Sequence, residues 1–107
     1  MMELLPEELK NQLPKLYEQE GAPDQKVFIK YFFPIGRWTW FVTEGEARGD
    51  DFLFFGYVIG LHKEWGYFTL KQLEEINIQG LTVERDLYFK QESFSSCLHH
   101  WKQERGG

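Results

Sequence analysis

The chain has 107 residues, of which 42% are hydrophobic and 18% aromatic, with a formal charge of −5 and one cysteine, Cys97. That length suits one domain with an aromatic-rich core, since each buried ring removes about 150–250 Å² from water. The composition excludes a disordered chain and an intrachain disulfide, and the acidic balance disfavours a general phosphate-binding surface, whose affinity comes largely from Lys and Arg.

No charged-then-apolar leader opens the sequence. The longest apolar-leaning stretch, residues 52–61, contains Gly56 and Gly60 and falls far short of the ~18–20 residues of a membrane span. A cytoplasmic location without membrane contact is therefore expected.

Leu5, Leu9, Leu13 and Leu16 recur at near-helical spacing, with Pro6 suited to a first turn and Glu7 and Glu8 placed at the positive end of the helix dipole. Pro14 should end or bend this helix, and the Gly21-Ala22-Pro23-Asp24 cluster breaks the chain before an element near Lys26. Residues 27–33 and 38–43 are rich in β-branched and aromatic side chains around a link of turn chemistry at 34–37, which predicts a hairpin. Trp38, Trp40 and Val42 share one face of its second strand and Thr39, Phe41 and Thr43 the other, so one face should lie beneath a helix.

Residues 44–51 carry Glu44, Glu46, Asp50 and Asp51 against Arg48, with two glycines, and read as a mobile acidic loop. Strand character returns over 52–60, where Gly56 and Gly60 mark a bulge or a close backbone approach, and residues 65–68 make a short strand or an extended lead into a helix. Thr69 and Gln72 form a capping-box pattern for a helix over 70–76. Beyond Gly80, a strand over 82–89 places Val83, Arg85, Leu87 and Phe89 on one face and Glu84, Asp86 and Tyr88 on the other. Phe94, Cys97, Leu98 and Trp101 then follow i, i+3, i+4, i+7, an amphipathic helix over about 93–103 that Ser93 can cap. The expected fold is a single α+β domain over residues 1–107, with a mainly antiparallel sheet of about four or five strands and N-terminal, central and C-terminal helices.

The block Trp38-Thr39-Trp40, Glu44, residues 54–60 (FFGYVIG), 66–70 (GYFTL) and 84–89 (ERDLYF), with the opening Glu3-Leu4-Leu5-Pro6 and Lys30-Tyr31-Phe32, resembles the bacterial domain of unknown function 2958 family over about residues 3–89. The resemblance implies a setting in bacterial mobile elements, plasmids and phage-like regions. For some members it implies a single-stranded DNA endonuclease activity, and it assigns no site residue here.

Among the residues themselves, Glu84 and Asp86 project from one strand face with Cα atoms roughly 6.5–7 Å apart. With Glu44 or Glu64 they would make the oxygen-rich set that Mg²⁺ or Mn²⁺ takes in phosphate hydrolysis; the competing reading is a solvated acidic face. Arg85, on the apolar side of that strand, needs a partner: a carboxylate such as Glu44 or Glu64, or a ligand's phosphate or carboxylate.

Trp38, Trp40, Tyr57, Tyr67 and Tyr88 can stack on unpaired bases or anchor a partner, but Lys26, Lys30, Arg37 and Lys63 are too scattered for a basic groove, so core packing competes for these rings. Cys97, His99 and His100 lack the ligand count of a structural zinc site, with only His62 elsewhere, and Cys97 belongs to the helix stripe. No nucleophile elbow or phosphate-cradling glycine loop occurs.

Three functions follow as expectations. The first is a non-enzymatic accessory protein that binds a protein partner, anchored by residues among Trp38, Trp40, Tyr67, Tyr88 and Arg85, with nucleic acid not favoured and no cofactor. The second is a divalent-metal nuclease or phosphoesterase using Glu44, Glu64, Glu84 and Asp86. The third is a small-ligand pocket between sheet and helices with Arg85 as anion anchor.

Overall fold

Two long strands arise where rings and β-branched residues are densest: β3 (Thr39–Arg48) and β4 (Asp51–Ile59) pair antiparallel along almost their whole length. This computed structural model describes residues 2–104. The acidic stretch expected as a mobile loop is instead the end of β3, its turn and the start of β4. Gly49, at φ +57°, takes the first position of a two-residue connection where glycine is favoured, and Phe52 and Phe54 are buried, which fixes the flanking residues in register. Lys71 Nζ holds Asp50 at 2.6 Å, and the Asp51 carboxylate accepts from the Lys71 backbone N–H at 3.1 Å.

β2 (Ile29–Phe32) completes the expected hairpin with β3, β5 (Lys63–Thr69) flanks β4, and β8 (Glu84–Arg85) flanks β2, giving one antiparallel sheet in the order β5-β4-β3-β2-β8. Two small ribbons lie outside it: β1 (Lys26–Val27) with β9 (Glu92–Ser93), and β6 (Asn77–Ile78) with β7 (Leu81–Thr82). The three helices are α1 (Glu7–Gln12), α2 (Leu70–Glu75) and α3 (Phe94–Glu104). α1 stops at an extended Leu13, as a following proline demands. α2 carries the full capping box of Thr69 and Gln72. At the start of α3 the Ser96 N–H donates to Ser93 Oγ at 3.3 Å, and the Ser95 N–H donates to the Asp24 carboxylate at 3.1 Å. The Ser95 hydroxyl also bonds Asp24, and these bonds hold the Asp24 carboxyl below its ordinary pKa.

The strand expected over 82–89 is broken. Asp86 N–H still bonds the Lys30 carbonyl at 2.9 Å, but its own carboxylate accepts from the Tyr88 N–H at 2.9 Å and its carbonyl from the Phe89 N–H at 3.3 Å. A side chain that bonds its neighbours' backbone turns the chain away from the ladder. Leu87 is thereby exposed, and Phe89 packs with α3.

One face of the sheet, with Tyr31, Trp40, Val42, Phe54 and Phe68, packs on Leu4, Leu5 and Leu73. The other, with Val27, Phe41 and Ile59, packs on Cys97 and Trp101 of α3. Tyr31 is fully buried, donates its hydroxyl to the Leu4 carbonyl at 2.7 Å, and has its pKa pushed up by that burial. Tyr31→Phe should cost about 1 kcal/mol in urea unfolding, since one buried carbonyl loses its donor while the packing is kept.

Candidate functional site

The carboxylates proposed for metal chemistry are not gathered at one point: Glu44, Glu64 and the Glu84–Asp86 pair lie on three different parts of the sheet. A register shift between Val42 and Glu44 turns Glu44 into the same cross-strand row as Phe55 and Tyr67. There it is 3% exposed, and its two oxygens accept from the backbone N–H groups of Tyr17 at 2.9 Å and Gln19 at 2.6 Å. Gln19 extends the same tether: its amide donates to the carbonyls of Lys26 at 2.9 Å and Thr43 at 2.8 Å and accepts from the Lys26 N–H at 2.7 Å. Glu44 thus anchors the turns of residues 15–22, where Tyr17 sits at φ +74°, onto β3.

Glu64 is exposed on β5, opposite Val58, whereas Glu84 lies on β8 at the opposite sheet edge, four strand spacings or roughly 19 Å away. Glu84 and Asp86 do project from one side, yet Asp86 faces Lys30 Nζ at 3.6 Å, which also meets Glu104 at 3.7 Å. The metal-ligand set of Glu44, Glu64, Glu84 and Asp86 is therefore not assembled, and among the described residues no group of three His, Cys, Asp or Glu is placed to hold a metal ion.

Arg85 also departs from expectation. It reaches neither Glu44 nor Glu64: its Nε donates to the Glu3 carbonyl at 3.4 Å, and its backbone N–H meets the Met2 sulfur at 3.1 Å. Its place beside Tyr31 on the apolar side is explained by the N-terminal segment crossing that edge of the sheet.

A cavity of about 230 Å³ lies between α3 and residues 86–92, its lining divided between polar side chains, Lys30, Asp86, Glu92, His100 and Glu104, and apolar ones, Phe41, Phe89, Cys97 and Trp101. His100 Nδ1 pairs with Glu92 at 2.7 Å, so this imidazole is engaged within the chain. Burial first, and the nearby Glu92 second, push the Cys97 thiol from its ordinary 9.0 up to about 12. It stays protonated and is not a nucleophile at neutral pH. Native Cys97 should react with iodoacetamide at pH 8 at least ~100-fold more slowly than the urea-unfolded chain. Because the folded pKa lies above the unfolded one, the unfolded chain binds fewer protons above pH 9, so stability should fall between pH 9 and about 12 in urea titrations across that range.

The aromatic candidates separate by burial. Trp40 belongs to the core, Tyr88 is 93% exposed on the turn after Asp86, and Tyr67 is 51% exposed on the outer sheet face. Trp38 is 39% exposed and stacks on Trp40 with centroids 5.9 Å apart and planes 27° from parallel. It rests on the backbone of Gly60, where an added Cβ would lie 2.1 Å from its ring. Together with Phe33, Ile76 and Ile78, the two indoles line an open groove of about 290 Å³ between the end of the sheet and the β6–β7 ribbon. Phe33 is fixed there by its N–H to the Trp38 carbonyl at 3.0 Å, and Ile78 by a tight turn with Gln79 at φ +55° and Gly80 at φ +86°.

No titratable side chain lines this groove, so it has the means to bind by burial of apolar surface and none for acid–base chemistry. Sequence reasoning found the two tryptophans and missed Phe33, Ile76, Ile78 and the seat at Gly60. The available signal was Ile76 and Ile78 standing together after α2 in a segment too short to bury both.

A family model described as protein of unknown function (DUF2958) matches residues 4–106. No curated protein and no solved structure matches the chain. Among the described residues no helix is long and apolar enough to cross a membrane.

Proposed function

The chain belongs to the DUF2958 family, and from that premise we propose that it is a small accessory protein of a bacterial mobile element or phage that binds another protein through the Trp38 groove. By doing so it modulates a host defence or transfer system. The setting is the one the family resemblance implies. The observation that carries the binding role is the half-exposed Trp38, stacked on Trp40 in an open, almost wholly apolar groove. A large ring held rigidly in such a groove is the kind of side chain that dominates protein interfaces.

Trp38→Ala should therefore abolish recovery of the partner with tagged protein from the native host, an affinity loss of about 30-fold or more, equivalent to about 2 kcal/mol or more. Trp38→Phe should retain part of it. Both variants should still unfold cooperatively in urea, because the ring lies at the groove and outside the buried core. Equal recovery of the same partner by wild type and a folded Trp38→Ala contradicts the proposal.

A further inference from the structure

β5 is an edge of the sheet: it pairs with β4 alone, and among the described residues no strand covers its other side. Such an edge presents a row of outward N–H and C=O groups that template another strand. β5 is seven residues long, has no proline, and runs in register with β4 without a bulge, so most devices that blunt an edge are missing. Only Lys63 and Glu64, at one end, carry charge.

Gly66 stands at the midpoint of β5. Its cross-strand neighbour Gly56 is required by packing, since a Cβ would sit 1.9 Å from the Phe41 carbonyl oxygen. A Cβ at Gly66 would meet nothing within 4 Å, and Gly66 is not among the residues of positive φ. The chain's own packing thus gives no reason for glycine at this position, and the midpoint of the edge carries no side chain of its own, so both faces there stay open when a second strand pairs alongside.

The residues around Gly66 match themselves under a two-fold rotation. Antiparallel pairing of two copies about Gly66 sets Trp65 opposite Tyr67 twice, Glu64 opposite Phe68 and Lys63 opposite Thr69, so every β5 residue is paired and no like charges face each other. Trp65 and Tyr67, 38% and 51% exposed, stand on the same face as Phe55 and Tyr57, with Trp65 stacked on Phe55 at 5.7 Å and 13°. The pairing would extend each row, Tyr57 to Trp65, onto Tyr67 and Phe55 of the second copy, and cross-strand aromatic pairs are among the more stabilising ones.

We propose that the chain forms a two-fold dimer by antiparallel pairing of β5 with β5 of a second copy about Gly66, joining two five-stranded sheets into one. The dimer leaves the Trp38 groove, formed by other strands, available to a different partner.

Light scattering after size exclusion should give twice the 12.8 kDa chain mass at micromolar concentration. Trp65→Lys/Tyr67→Lys and Trp65→Glu/Tyr67→Glu, which oppose like charges across the axis, should each be monomeric, and an equimolar mixture should dimerise. Gly66→Cys should cross-link to a dimer under mild oxidation, because residues facing each other across an antiparallel pair lie within disulfide reach, while Glu64→Cys, opposite Phe68, should not. A wild type monomeric throughout the micromolar range overturns the proposal. So does a dimer unaffected by the lysine pair, or one that cross-links at residue 64 and not at 66.

Discussion

Gly56→Ala is expected to cost more than ~4 kcal/mol, a large part of the ~5–15 kcal/mol that holds a domain folded. Gly56 sits in the middle of β4, and an added Cβ would fall 1.9 Å from the Phe41 carbonyl oxygen, 2.9 Å from its carbon and 3.1 Å from Val42 Cα. All three are backbone atoms of β3 beside the register shift, so no rotamer change relieves the contact and β3 must separate from β4. Gly66→Ala, directly across the β4–β5 pair, should by contrast change the stability of the isolated chain by no more than about 1 kcal/mol. Thermal melts of the two variants at a concentration low enough to hold the wild type monomeric check both. Equal melting temperatures would mean that β3 and β4 do not approach as closely as described.

Glu44→Ala should come next, at about 3–5 kcal/mol, because a buried carboxylate that accepts two backbone N–H groups contributes about 1.5–3 kcal/mol through each and leaves both unsatisfied when removed. Glu44→Gln keeps one acceptor and turns an amide donor toward the other N–H, so roughly half of that loss is expected. Urea unfolding supplies the magnitudes, and limited proteolysis the location. Cleavage within residues 15–22 should accelerate before cleavage elsewhere, since those turns are tied to β3 by Glu44 and Gln19. A Glu44→Ala protein as stable as the wild type would show that the carboxylate does not hold them.

These two positions also mark the boundary of what the chain discloses in one dimension. Local signals carried through: the capping box at Thr69 and Gln72, the stop before Pro14, the stripe through Cys97 and Trp101, and the hairpin around residues 34–37 each depend on side chains a few positions apart. The close approach at Gly56 was legible as one of two readings, because a glycine inside a strand pattern has few other uses.

Glu44 was not legible. Simple alternation groups it with Trp40 and Val42, and only the extra residue at Thr43 moves it to the other face, beneath backbone donors 25 and 27 positions away. Arg85 failed for the same reason at longer range, its partner being a carbonyl 82 positions distant. Asp86 shows a local effect that was missed: an aspartate able to accept its neighbours' N–H groups ended a strand that hydrophobic alternation alone would have continued.

The candidate site was half visible. Alternation places Trp38 and Trp40 on one face, but which ring is covered depends on how far α2 and the β6–β7 ribbon reach along the sheet. The ribbon is a separate element that turns at Gln79 and Gly80, about forty residues beyond Trp38 and Trp40.

Hydrogen–deuterium exchange of the complex recovered from the native host tests the binding role most directly. Protection on binding should concentrate at residues 33–40 and 76–78, the hairpin and ribbon that carry the groove. Protection confined to the cavity of Lys30, Asp86 and His100, with residues 33–40 and 76–78 unchanged, would contradict it.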